Sequence, residues 1–311
     1  MLDFFVTLFI IFLLMNVVVS FALFYFVIFR YAKFDIIKKE KAKSMEDVEA
    51  YYDQNVPWFE IQNWEHVSIT SKDGLTLRGI YLAAKEATDK TVITVHGYRQ
   101  SGEKEYLIFA HFYHMENFNI LIPDDRAHGT SDGLFIGFGW ADRLDCIGWI
   151  NFILDRSGKE HNIMLHGISM GAAAVLMASG EHLPSQVKAI VADCSYTSVW
   201  DEFAYQMTEV FHLPVFPLLY TTSIICKVIA GYDFREASAV KQVKKSVTPI
   251  LFIHGDRDIF VPTYMVNELY GCCRTDKDLL IVDRATHGVS YLYDTKLYKK
   301  TILAFAKKYL K

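Results

Sequence analysis

The stretch NIMLHGISMGAAAV, residues 162–175, opens as a buried strand and closes as a helix of small residues, with Ser169 between Gly167 and Gly171 at the change. Apolar, β-favouring residues run up to Ile168, and a helix-favouring run begins at Met170. A sharp turn at that junction would hold the Ser169 hydroxyl out at the carboxyl edge of a sheet. Strand and helix are crowded in such a turn, so a side chain two residues before or after the serine would collide, and glycine occupies both places. Ala172, Ala173 and Ala174 then let the helix pack closely. Placed on a strand-to-helix junction, G-x-S-x-G reads as a nucleophile turn in preference to a merely structural one.

The flanking chain supplies the sheet that such a turn requires. EHVSITSKDGLTLRGIYLAA, residues 65–84, reads as a hairpin with Asp73 and Gly74 in its turn. Apolar runs follow at residues 91–97, 118–125, 162–169, 187–195, 248–256 and 278–283. Helical patterns separate them near 103–116, 140–156, 170–180 and 263–271, and a last helix falls near 294–310. That alternation predicts an α/β fold, a mostly parallel, doubly wound sheet with an antiparallel first hairpin.

A serine hydroxyl attacks poorly until an imidazole takes its proton, so the reading demands a histidine and an acid further along the chain. LFIHGDRDIFVP, residues 251–262, ends a strand in an acidic turn, and DRATHGVS, residues 283–290, places His287 in the last strand-to-helix loop. Asp256 and Asp258 compete for the acid role, and Asp258 fits it better by position in the motif. An oxyanion hole needs two backbone N–H groups. Met170, directly after the serine, and Tyr98, in the loop HGYRQSG, are the candidates, with His96 a structural residue of that loop.

Ahead of this domain, residues 4–29 run 26 positions without a charge, enough to cross a hydrocarbon core of about 30 Å as a transmembrane helix. A cleaved signal would want a basic residue in front, a shorter apolar core and a small-x-small site behind it, all missing here. RYAKFDIIKKEKAKS follows, six Lys or Arg against Asp35 and Glu40, so the charge rule sets the rest of the chain in the cytoplasm. Residues 30–59 read as a basic juxtamembrane linker and 60–311 as the catalytic domain. Cys146, Cys194, Cys226, Cys272 and Cys273 are odd in number and lie mostly in apolar runs, as reduced packing residues do. No Cys/His spacing suggests a metal. The net charge of −4 gives no hint of a nucleic-acid partner.

HGYRQSG, PDDRAHGTSDG, HGISMG, HGDRDIFVP and ATHG, in that order over about residues 60–311, resemble the α/β-hydrolases. DCSYTSVWDEF and GYDFREASAV most resemble a membrane-anchored bacterial branch near the serine aminopeptidase, monoacylglycerol lipase and Bem46-like groups. The resemblance implies an α/β-hydrolase fold with Ser169 as nucleophile, Asp258 as acid and His287 as base. One departure is Ala127, where the family's R-G-H-G turn usually carries glycine; the turn is structural.

Substrate is left to the insertion at about residues 196–247, rich in aromatic and aliphatic residues and broken by Pro214 and Pro217, which predicts a cap of two or three short helices. Trp200, Phe203, Met207, Phe211, Phe216 and Leu219 are candidates for an apolar acyl pocket, against the alternative that each simply packs the cap. A greasy cap beside an anchor favours a carboxylic ester, a small-molecule acyl substrate, with no cofactor. A peptidase would need an acidic grip on the substrate amine, for which Glu202 and Glu209 are the candidates. A non-catalytic membrane scaffold is the alternative from another class, and an intact triad argues against it.

Overall fold

The computed structural model describes residues 1–32, 44–158 and 160–310. Residues 33–43, which carry most of the basic run, lie outside the described residues. The apolar N-terminal run forms α1, Leu2–Ile28, 27 residues long and apolar enough to cross a membrane. The expected linker is helical over its second half: α2 spans Ser44–Glu60 with Pro57 inside it. Its last turn packs onto the domain, where Trp58 stacks on His111 at 4.7 Å and Phe59 on Trp64 at 4.5 Å. Charge density and a proline disguised this helix, which tertiary contacts hold.

Eight strands form one sheet: β1 Glu65–Thr70, β2 Thr76–Leu82, β3 Lys90–Val95, β4 Asn119–Pro123, β5 Asn162–Ile168, β6 Val187–Asp193, β7 Ile250–Gly255 and β8 Lys277–Val282, ordered β1-β2-β4-β3-β5-β6-β7-β8. The pairs β1/β2 and β2/β4 are antiparallel and the rest parallel, as the hairpin and the later alternation predict. Gly74 takes the left-handed φ of +89° that the hairpin turn requires. Helices α3 Gly102–Met115, α4 Asp142–Ser157 and α5 Met170–Ala178 follow β3, β4 and β5. Every residue of β5 is buried, the signature of a central parallel strand covered on both faces. Strand order reverses at β3, so the carboxyl ends of β3 and β5 open the crevice where α/β sheets bind ligands.

The insertion folds as α6, Val199–Tyr205, running into a π-helical turn at Gln206–Val210, then α7, Leu218–Ile229, and α8, Ala239–Val243. The domain closes with α9 Tyr264–Cys272, the short α10 Ser290–Tyr293 and α11 Thr295–Tyr309. One core layer joins the sheet to α4, α5, α9, the cap and the end of α1; the other joins it to α2, α3 and α11. The five cysteines are free, and all but Cys272 are buried.

The end of α1 is stitched into the domain. Ile136 N donates to the Ile28 carbonyl and Arg30 N to that of Leu134, both at 2.9 Å, and Phe29 pairs with Phe135 as an antiparallel bridge. Higher up, Asn16 Nδ2 donates to Thr221 Oγ1 at 2.7 Å, Ser20 Oγ to the Leu218 carbonyl at 3.3 Å and Thr222 Oγ1 to the Ser20 carbonyl at 3.5 Å, all across the α1–α7 seam.

Candidate active site

The turn after β5 is as tight as its glycines suggest. Ser169 sits at φ +56° and ψ −115°, a conformation few non-glycine residues adopt. Its amide donates to the Asp193 carbonyl at 2.8 Å and its own carbonyl accepts from Ala173 N at 3.0 Å, so strand and helix fix it from both sides. A Cβ on Gly171 would stand 1.9 Å from the Val95 carbonyl oxygen, and one on Gly167 2.2 Å from that of Gly171. Neither neighbour is a side chain that could swing away.

Ser169 Oγ lies 2.7 Å from His287 Nε2, and His287 Nδ1 lies 2.7 Å from Asp258 Oδ2. With Nδ1–H donating to the carboxylate, Nε2 is left to accept from the hydroxyl. Asp258 Oδ1 accepts from the amides of Phe260 at 3.0 Å and Val261 at 2.9 Å, and His254 Nε2 stands 3.3 Å from Oδ2. Asp256 points to solvent, so of the two competing carboxylates only Asp258 meets the imidazole.

Burial alone would raise the Asp258 carboxyl, but the His287 charge and the bonds from His254 and His287 outweigh it and hold it well below the usual carboxylate range. Burial likewise works against a charged His287, and Asp258 outweighs it, raising the imidazole above its ordinary value. Ligand atoms of Cys194, Asp258 and His287 lie within 4.8 Å of one another. Burial pushes the Cys194 thiol up to about 12, and both His287 nitrogens are already bonded, so a hydrogen-bonded relay accounts for the cluster.

The amides of Tyr98 and Met170 have no acceptor among the described residues, and both residues border the same cavity as Ser169. The loop carrying Tyr98 is firmly held. Gly97 N donates to Glu105 Oε2 at 2.5 Å, His96 bonds the Gly97 carbonyl through Nδ1 at 2.8 Å, and His96 Nε2 accepts from Asp125 N at 2.9 Å. His96 is therefore a structural residue of the loop. Burial raises the Glu105 carboxyl to about 8. Glu105 escaped the sequence reading because an acid in the first turn of a helix ordinarily only favours the helix dipole.

The fold matches a known architecture. Residues 90–213 match the family described as alpha/beta hydrolase fold. An esterase of Pyrococcus furiosus, Pf2001, superposes with a TM-score of 0.67 at 25% identity, over 82% of this chain and 94% of that one. The chain has the α/β-hydrolase fold. Its similarity extends to the Bacillus subtilis protein YqkD, 28% identical over 271 residues covering 87% of this chain and 86% of that one. The protein bem46 of Schizosaccharomyces pombe is 22% identical over 217 residues, 69% of this chain and 67% of that one.

Within this fold a cavity of about 100 Å³ leads away from Ser169. Phe203, Met207, Phe211 and Leu219 of the cap line it, with Tyr98 and Phe138 from the sheet edge. Two expected lining residues lie elsewhere. Trp200 faces Arg235, whose guanidinium stacks over the indole at 3.8 Å, and Phe216 is 72% exposed against Tyr220. Composition marks the cap as greasy but does not say which way each aromatic turns. The reading of the sequence named Glu202 only as a grip for a substrate amine and missed Gln206 and the wall from α1. Glu202 and Gln206, bonded to each other at 3.0 Å, form the polar corner of the cavity, and burial raises Glu202 to about 8. Leu23, Val27 and Ile28 of α1 complete the wall.

Proposed function

We propose that the protein is a membrane-anchored serine hydrolase that cleaves carboxylic esters through an acyl-enzyme on Ser169. The observation that carries this is the 2.7 Å contact between Ser169 Oγ and His287 Nε2 at the strand-to-helix turn. In the first half-reaction His287 takes the hydroxyl proton as Ser169 attacks the carbonyl. The amides of Tyr98 and Met170 receive the oxyanion, and His287 passes its proton to the leaving alcohol. Water, activated by the same imidazole, then releases the acid. Asp258 holds the ring in the tautomer this needs and stabilises its charged form.

An apolar cavity suits an acyl chain better than a peptide. Glu202, the buried candidate for gripping a substrate amine, is mostly protonated at neutral pH, and Glu209 is exposed and away from the cavity. In this reading α1 is the anchor, the catalytic domain covers residues 60–311 with its cap at about 196–247, and the basic run after α1 sets the domain on the cytoplasmic side. A C-terminal reporter active only outside the cell would reverse that side.

The test is hydrolysis of p-nitrophenyl esters from acetyl to palmitoyl by the full-length protein and by Ser169→Ala. Loss of activity on the order of 10⁴-fold or more in a folded mutant is expected. Equal activity in the two proteins would overturn the mechanism.

A further inference from the structure

Residues 1–15 are exposed throughout, and the hydrogen bonds from α1 to the cap begin at Asn16. Leu2–Met15 measures about 20 Å at about 1.5 Å per residue, short of a hydrocarbon core of about 30 Å. If α1 spans the bilayer, the stretch from Asn16 onward must lie partly within it, and whatever packs on that stretch goes in too. What packs there is α7. Polar bonds cross the seam there, as between helices packed in lipid: Asn16 Nδ2 donates to Thr221 Oγ1, Ser20 Oγ to the Leu218 carbonyl and Thr222 Oγ1 to the Ser20 carbonyl, while Asn16 Oδ1 is buried with no partner among the described residues.

The outer face of α7 suits such a setting. At about 100° per residue, Ile224 and Val228 fall on the flank next to Thr221, the residue that meets α1. They are 63% and 79% exposed, with Phe216 at the start of the helix also exposed, so an apolar surface continues from α1 onto the cap. Charges border this surface. Lys227 pairs with Glu236, and Arg235 lies over Trp200 and Tyr220, in the manner of residues at a headgroup boundary. Behind the seam lies the cavity of Ser169, walled on one side by Leu23 and Val27 of α1 and on the other by Leu219 and Thr222 of α7.

We infer that the substrate is an ester of a membrane lipid whose acyl chain enters from the leaflet through the seam between α1 and α7, the anchor helix being one wall of the acyl pocket. This rests on the ester-hydrolase reading and on α1 as a membrane span. The chemistry balances as hydrolysis: the ester C–O bond breaks as the Ser169 Oγ–C bond forms, the alcohol leaves with the proton from His287, and water replaces the serine to release a fatty acid.

The test uses the full-length protein in vesicles of phosphatidylethanolamine and phosphatidylglycerol, with umbelliferyl acetate and umbelliferyl palmitate as substrates. Leu23→Trp and Val27→Trp, which fill the wall, should lower the palmitate-to-acetate ratio of turnover at least tenfold. In a separate arm, the tryptophan introduced by Val228→Trp should be quenched by brominated lipid acyl chains beyond the quenching of the parent protein. An unchanged ratio, or no added quenching, overturns the leaflet route while leaving the hydrolase reading intact. Absence of any Ser169-dependent turnover overturns the hydrolase reading, and this proposal with it.

Discussion

The Tyr98 hydroxyl donates to the Val27 carbonyl at 2.8 Å, so a residue that borders the Ser169 cavity is tied through its side chain to the end of α1. Arg99 reinforces the tie. Its guanidinium bonds the Tyr98 hydroxyl at 2.8 Å, the Phe26 carbonyl at 2.8 Å and the Ala32 carbonyl, joining the last turn of α1 to the chain just beyond it.

Tyr98→Phe keeps the ring and the amide and removes only the tie. A loss of about 1 kcal/mol is expected, seen as about a fivefold fall in kcat/KM and a lower thermal transition of the full-length protein. Unchanged values for both would mean the loop holds its position without α1.

Gly171→Ala places a methyl group 1.9 Å from a strand carbonyl and should abolish activity together with stability, by about 3 kcal/mol or more. Gly74→Ala meets no neighbouring atom, although its φ is +89°, so it should cost only about 1 kcal/mol. Thermal melts of the two variants compare steric collision with backbone strain alone; the reverse ranking would remove crowding as the reason for glycine beside Ser169.

Asp258→Asn should lower kcat by on the order of 10⁴, because the imidazole loses the partner that selects its tautomer. Asp256→Asn should stay near the parent value, its carboxyl being exposed and away from the ring. Steady-state rates with one ester rank the pair, and the opposite order would assign the acid role to Asp256.

As the proposed base, His287 would act only when neutral. Because Asp258 raises its pKa against the effect of burial, kcat/KM should be low in acid and climb as pH rises, with the limb above the value of about 6.5 for an unperturbed histidine. In Asp258→Asn the raising charge is gone and burial remains, so the residual activity should show its limb at lower pH. A limb that does not move between the two proteins would assign it to another group.

Glu202 brings a second titration into the cavity. Burial holds its carboxyl neutral up to about pH 8, and above that a negative charge enters the apolar pocket. KM for a long-chain ester should therefore rise above pH 8 in the parent protein and stay flat in Glu202→Gln. The same rise in both would exclude Glu202 as its cause.

Much of this was legible in the sequence, for identifiable reasons. The parallel strands are short apolar runs closed by turn residues, and Ser169, Asp258 and His287 each stand at the carboxyl end of one, where local sequence fixes position. The carboxylate choice could be argued from spacing, but Asp256 and Asp258 are told apart physically only by the amides of Phe260 and Val261 and by the ring of His287. Contacts between distant segments left no such mark. Nothing local tells that Leu23 and Val27 meet Leu219 across a cavity, that Trp200 turns to Arg235, or that Phe59 buries itself against Trp64. Ala127, where glycine is usual, does adopt the left-handed φ of +59°, so the backbone of that turn is kept at the cost of strain.

The bridge between Phe29 and Phe135 leaves α1 no swivel where it enters the domain. With α1 as the proposed anchor, a protein fastened this way would not tumble to sample its surroundings; the membrane normal would fix the bearing of the Ser169 cavity. Encounters with the proposed lipid ester would then become a search in two dimensions, governed by the mole fraction of substrate in the lipid and by lateral diffusion. Diluting the vesicles at constant lipid composition should leave its rate per enzyme unchanged.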